Sequence, residues 1–156
     1  MKILVFNWQD RLHPQAGGAE AHAHEIFSRL VRKGHIVHMV TCGFDGAPSQ
    51  TDIDGIIIHR IGSRSTYNLH VPFWWFRHGK ALGFDIVVDD INKIPLMTPL
   101  FVRKPIVGIV HHLFGHTIFK EASLPAALYV RASESCIPAV YRNTPISVVS
   151  QSTFDD

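Results

Sequence analysis

Two histidines side by side, His111 and His112, directly follow the apolar run Ile106 to Val110. Asp89 and Asp90 follow a similar run, Asp85 to Val88, and Asn92 lies just beyond them. Histidine next to carboxylate permits two chemistries. One is metal-assisted hydrolysis, with His111, His112, His116, Asp89 and Asp90 as candidate ligands. The other is orientation of a polar substrate and stabilisation of developing charge, with no metal. No HExxH or other strict ligand spacing occurs, and capping a strand end is a structural duty that also suits these residues. Successive side chains at a strand end point to opposite faces, so one of the two histidines should reach a ligand.

A second constellation is Ala16-Gly17-Gly18-Ala19-Glu20. Paired glycines at the mouth of a helix let backbone approach a ligand, and the unbonded amides of the first helical turn attract phosphate or another anion. A tight turn with no ligand would use the same pair. Neither GxGxxG nor GxxxxGK[ST] is present, so the loop fits no dinucleotide or P-loop fingerprint. His22 follows within one turn, on the side of the glycine loop. His24, about 200° further round the helix axis, is expected to face solvent.

The elements that must position these groups alternate. Ile3 to Phe6 reads as a buried strand, and Ala23, Ile26, Phe27, Leu30 and Val31 form the apolar stripe of a helix that Gly34 ends. Further strands are expected at Ile36 to Val40, Ile56 to Ile61, Asp85 to Val88, Ile106 to Val110 and Ile146 to Val149. Residues 43 to 55 read as a loop, Val71 to Leu82 and Ser123 to Cys136 as helices, and Leu96 to Val102 as a short Pro-flanked element. The strands are apolar throughout rather than alternating, as in a parallel sheet covered by helices on both faces. The expected fold is therefore α/β: a Rossmann-like, doubly wound, mostly parallel sheet of about six or seven strands. Ligands of such sheets bind beyond the carboxyl ends of the strands, where strand order reverses. The loops at Asn7 to Gly18, Asp89 to Asn92 and His111 to His116 all lie there.

Bulk properties agree with one domain. The chain has 156 residues, and a formal charge of +2 from 15 basic and 13 acidic side chains gives no reason to expect a nucleic-acid partner. The remaining histidines of the 11 carry no motif and read as surface or partly buried. Cys42 and Cys136 are far apart, with no CxxC, and read as free and largely buried in a reducing compartment. No signal-peptide core or membrane-spanning run is present, so a cytoplasmic location is expected. The run Phe73-Trp74-Trp75-Phe76, with Arg77 and Lys80, cannot place every ring in one core. It reads as a bulky helix on the sheet with one or two exposed rings, as the border of an acceptor groove, or as a peripheral membrane contact through Phe73, Trp74, Trp75 and Arg77. Ser150 to Asp156 supplies cap residues and acids for the first turn of another helix, which suggests a fragment of a longer protein.

Taken in order, five segments resemble the N-terminal domain of GT-B-fold retaining glycosyltransferases of family 4. They are Met1 to Val5; His13 to Glu20 with His22, the helix to Leu30 and Lys33-Gly34-His35-Ile36-Val37; Phe84 to Val88; Lys104 to His111; and Ile146 to Ser150. The resemblance implies a nucleotide-sugar donor (UDP-, GDP- or ADP-sugar) and a sugar acceptor held in a cleft between this domain and a C-terminal domain absent from this chain. It implies that Gly17 and Gly18 contact the donor through backbone amides. His111 would lie against the donor sugar, and His22 near the acceptor side. Asp89, Asn92 and His112 are kept as substrate-binding candidates. It further implies metal-independent retention of anomeric configuration, and little activity from this piece alone. Other chemistries left open are a nucleotide-sugar epimerase of the same fold, a metal-dependent hydrolase or dehydratase, and a non-catalytic binding module.

Overall fold

The computed structural model describes residues 1–92, 94–115, 117–151 and 153. Strands β1 (Lys2–Asn7), β2 (Ile36–Cys42), β3 (Gln50–Ile53), β4 (Ile56–Ile61), β5 (Ile86–Ile91), β6 (Ile106–Val110) and β7 (Ile146–Val148) form one sheet in the order β3-β4-β2-β1-β5-β6-β7. Every pairing is parallel except β3 with β4. Helix α1 (Gly18–Arg32) joins β1 to β2, and α2 (Tyr67–Arg77) follows β4. Short helices α3 (Ile118–Glu121) and α5 (Ile137–Val140) flank the longer α4 (Leu124–Ser135).

The doubly wound sheet has helices on both faces, as its apolar strands require. On one face Val5, Val37, Met39, Ile58 and Val88 pack on Ala23 and Phe27 of α1. On the other, Leu4, Phe6, Val40 and Val87 pack on Tyr67, Val71, Trp74 and Trp75 of α2. The period-two alternation of strand side chains thus builds two cores from one strand sequence.

Three differences from the sequence reading have plain causes. First, residues 43 to 55 are not all loop: β3 pairs with β4 across the two-residue turn Asp54-Gly55, both residues at positive φ. Asp-Gly is the residue pair that such a hairpin demands. A Cβ at Gly55 would also lie 2.6 Å from Val31 Cγ1. Second, α2 starts at Tyr67 rather than Val71 and carries Pro72 in its interior, while Gly79–Leu82 is a separate 3₁₀ turn. Proline within a helix marks its first turn more often than its middle, which displaces the expected start. Third, β5 runs on through Asp89, Asp90 and Ile91, because both neighbours continue the hydrogen-bonded ladder to that depth.

The aromatic run divides as helical geometry dictates. Trp74 and Trp75 are core residues, whereas Phe73 and Phe76 are exposed. The expected membrane contact through Trp74 and Trp75 is therefore corrected: both indoles are largely buried against the sheet, at 8% and 3% exposure. Cys136 is exposed, not buried, and Cys42 is buried; both are free thiols.

A stacked pair of histidines, His38 buried and His59 half-buried, should make the domain sensitive to acid. His38 Nδ1 is 2.9 Å from His59 Nε2, with the rings stacked. Burial, then the adjacent His59, lowers the His38 pKa to about 4; burial, then His78, also lowers that of His59. A histidine whose folded pKa lies below its unfolded value contributes stability above the unfolded pKa, and that stability is lost as pH falls toward the folded value. Buried Asp89 is raised to about 6, chiefly by burial, and acts in the opposite sense. Comparing the parent with His38→Gln isolates the histidine contribution. Urea unfolding at pH 7 and pH 4.5 should show the parent losing roughly 2 kcal/mol more than the variant. Equal losses would remove the histidine pair as the source.

Candidate active site

The chain leaves β1 toward β2 and β4 on one side, and β5, β6 and β7 lie on the other. Strand order reverses between β1 and β5, so the crevice for a ligand opens at their carboxyl ends. Asn7 of β1 is in register with Asp90 of β5, and both are buried.

At this point Asp90 Oδ1 lies 2.6 Å from His111 Nε2. His111 follows β6, and its amide donates to the Ile91 carbonyl (3.1 Å), so strand pairing fixes where the imidazole begins. Burial raises the Asp90 pKa, and the hydrogen bond from His111 opposes that rise. With Asp90 ionised, Nε2 carries the proton, and the ring has a fixed plane and tautomer. His22, exposed on the first turns of α1, stands edge-on to His111, with ring centroids 5.2 Å apart. Helix α1 and strand β6 thus deliver two imidazoles to one point.

A second network joins the glycine loop to β5. Glu20, at the third position of α1, accepts from the Gly17 amide through Oε2 (2.7 Å) and from Asn92 Nδ2 through Oε1 (2.9 Å). Asn92 Nδ2 also donates to Asn7 Oδ1 (2.9 Å). This corrects one expectation for the glycine pair: the Gly17 amide is already held by Glu20. Gly18 and Ala19 open the helix, and their amides have no intrahelical acceptor. A Cβ at Gly18 would meet nothing within 4 Å. Packing therefore does not require glycine there. Asp90 Oδ2, Asn7 Nδ2 and Asn92 Oδ1 are buried without a hydrogen-bond partner. Buried polar atoms are seldom left so; these lie at the β1/β5 reversal, closed to solvent, beneath the His111 ring.

The structure brings together Gly18, His22, Asp90, Asn92 and His111. It separates others. Asp89 points to the opposite sheet face, fully buried, where Thr98 Oγ1 (2.7 Å) and the Tyr141 hydroxyl donate to its Oδ2. Strand alternation makes neighbours in sequence into groups on opposite faces, so Asp89 does not line the crevice. His112 turns outward and packs edge-on against Phe114. His24, expected in solvent, is buried, with Nε2 2.8 Å from Asp54 Oδ2 of the hairpin turn. His116 lies outside the described residues. Among the described residues no group of three His, Cys, Asp or Glu side chains could hold a metal ion.

Sequence reasoning missed the groups that hold the loops. Asp10, in the loop before α1, forms a bidentate pair with Arg60 of β4: Nε to Oδ2 at 2.8 Å and Nη2 to Oδ1 at 3.1 Å, both side chains buried. Asp10 Oδ1 also accepts from the Leu12 amide, which closes the loop on itself. On the far side, Glu134 of α4 accepts from the amides of Phe114 (2.6 Å) and Gly115 (3.0 Å), anchoring the loop after His111. Only Glu20 carried a readable signal, as an acid three residues after a helix cap.

A mostly parallel, doubly wound sheet flanked by helices, with a carboxylate-supported histidine at its reversal point, has the architecture of a Rossmann-like GT-B N-terminal domain. Residues 16–153 match the model of Glycosyltransferase Family 4, and the chain belongs to that family. Among solved structures it is similar to sucrose-phosphate synthase from Thermosynechococcus elongatus, with a TM-score of 0.63 and 14% sequence identity. That match covers 95% of this chain and 47% of the other, so the chain spans about half the length of that structure. No curated protein sequence matches.

Proposed function

We propose that this domain is the acceptor-side half of a retaining, nucleotide-sugar-dependent glycosyltransferase. The observation that carries the reading is the His111–Asp90 pair at the β1/β5 reversal, beside His22 and the open first turn of α1. A C-terminal domain would close the cleft and hold most of the nucleotide, and an acceptor would enter from the side formed here. His111, fixed by Asp90, orients the donor sugar and stabilises positive charge developing at its anomeric carbon. The Gly18 and Ala19 amides and the positive end of α1 favour the departing diphosphate. No described helix is long and apolar enough to cross a membrane, and we place the reaction in the cytoplasm, with a UDP-, GDP- or ADP-sugar as donor.

The test is donor binding by the full-length protein, followed by thermal shift and titration with each nucleotide-sugar. One class should bind, and Gly18→Val should weaken it by about tenfold or more while the melting temperature of the free protein stays nearly constant, since the added side chain has room. Binding of none, or unchanged affinity in the variant, contradicts the reading.

A further inference from the structure

Beside the polar crevice lies a larger and different space, a cavity of about 850 Å³. Its walls come from the loops after β1, β4, β5 and β6, from α2, and from α3 and α4. Trp8, Leu69, Ile94, Phe114, Ile118 and Val130 give it an apolar lining. The volume falls within the range of small-molecule sites, roughly 300–1,000 Å³. It opens at the carboxyl ends of the strands, the same end as His111, and Phe114 belongs to the loop that begins with His111 and His112.

The rim continues this character onto the surface. Leu69, Phe73 and Phe76 on α2 are 62%, 76% and 61% exposed, at spacings of four and three that make one stripe. Leu69 belongs to both the stripe and the cavity wall. Leu124 and Leu128 on α4 are also exposed. Between Asp54 and Asp85 there is no acidic residue, while Arg64, Arg77 and Lys80 are exposed there. Arg64 stands at the cavity itself. Glu121, at the α3 wall of the cavity, is the carboxylate on this rim; the α2 stripe itself is bordered by cations alone and is complementary to an anionic lipid surface.

We infer that this cavity is the acceptor subsite and that the acceptor is an amphiphile whose lipid chain lies among Leu69, Ile94, Phe114, Ile118 and Val130, presented from a membrane surface on which the α2 stripe rests. This rests on the glycosyltransferase reading and goes further by naming the acceptor class. The sugar-accepting head would emerge at Phe114, toward His111, and Arg64 would meet an anionic group beside the chain.

Dodecyl β-D-glucoside, kept below its micelle concentration, is the probe, with methyl β-D-glucoside as the head group alone; calorimetric titration of the full-length protein reports binding. The dodecyl compound should bind at least a hundredfold more tightly than the methyl compound, given about 0.8 kcal/mol for each buried methylene. Ala126→Trp places a ring in the cavity from an exposed position. It should reduce dodecyl glucoside affinity tenfold or more with no loss of melting temperature. If that variant is unstable, Leu69→Ser should give the smaller loss in the same direction. Vesicles containing phosphatidylglycerol should sediment the parent but release a Phe73→Ser, Phe76→Ser double variant. Equal binding of methyl and dodecyl glucosides, or binding that survives Ala126→Trp, overturns the inference while nucleotide-sugar binding still stands. Alkyl binding without vesicle binding overturns the membrane source and leaves a soluble apolar acceptor. Alkyl binding by a protein that takes no nucleotide-sugar overturns the transferase reading instead.

Discussion

Replacing His111 by alanine in the full-length protein should lower kcat by about 10²- to 10³-fold, and it should also lower the melting temperature by several degrees, because buried Asp90 loses its hydrogen bond. The imidazole is only 9% exposed and bonds the buried Asp90 carboxylate, so its removal also costs stability, and Asp90→Asn, which keeps the shape, helps to separate that cost from the loss of turnover. What is lost is a group held in place before the reaction: Asp90 fixes the imidazole by one short hydrogen bond, and β6 fixes its backbone. Groups prepared in this way need no rearrangement as charge develops, which is why removing one costs several kcal/mol in the transition state. Asp90→Asn should reproduce part of the fall, because an amide can present either an acceptor or a donor to Nε2 and no longer selects one tautomer. Steady-state kinetics with the two variants, alongside melting curves, reads both effects. Turnover equal to the parent in His111→Ala would move the chemistry elsewhere in the cleft.

The second large effect is on stability. Arg60→Met should cost about 3–5 kcal/mol, lowering the melting temperature by roughly 10 °C, because it leaves the Asp10 carboxylate buried beside a missing partner. Arg60 also donates to the Pro48 carbonyl (3.1 Å) and lies over the Phe44 ring, so the change loosens the segment before β3 as well. The double variant Asp10→Asn, Arg60→Met should be more stable than Arg60→Met alone, since no unpaired charge remains. Urea unfolding of the parent, Arg60→Met, Asp10→Asn and the double variant checks this. A single variant as stable as the parent would show the pair to be dispensable. The pair also has a functional consequence: Asp10 sits in the loop that ends at Gly17, so Arg60→Met should weaken donor binding even at temperatures where the domain is folded.

Much of this was legible from the residues. The apolar runs at Ile3, Ile36, Ile56 and Ile106 are short and unbroken, and their burial on both faces made the strands and their parallel order readable. Glycines 17 and 18 announced the start of α1. His111 was legible because it follows a strand of known direction. What was not legible depended on contacts distant in sequence. Asp89 and Asp90 look alike as neighbours, and only the extension of β5 to Ile91 sends one to Tyr141 and the other to His111. His24 was assigned to solvent because its partner, Asp54, belongs to a hairpin 30 residues away. Trp74 and Trp75 are core residues, and Phe73 and Phe76 surface ones, because the face of α2 carrying Tyr67 and Val71 packs on the sheet, and that docking is set by Leu4, Phe6 and Val40, far away in sequence. The apolar cavity gathers residues from Trp8 to Val130 and has no local pattern at all.

The most direct measurement is release of nucleoside diphosphate when the full-length protein is given UDP-, GDP- and ADP-sugars in turn, with the freed sugar followed by rapid NMR. One donor should be cleaved slowly without an acceptor, and the first sugar to appear should keep the anomeric configuration it had in the donor. Cleavage of none of them, or a first product of inverted configuration, would contradict a retaining transferase built around His111 and Asp90.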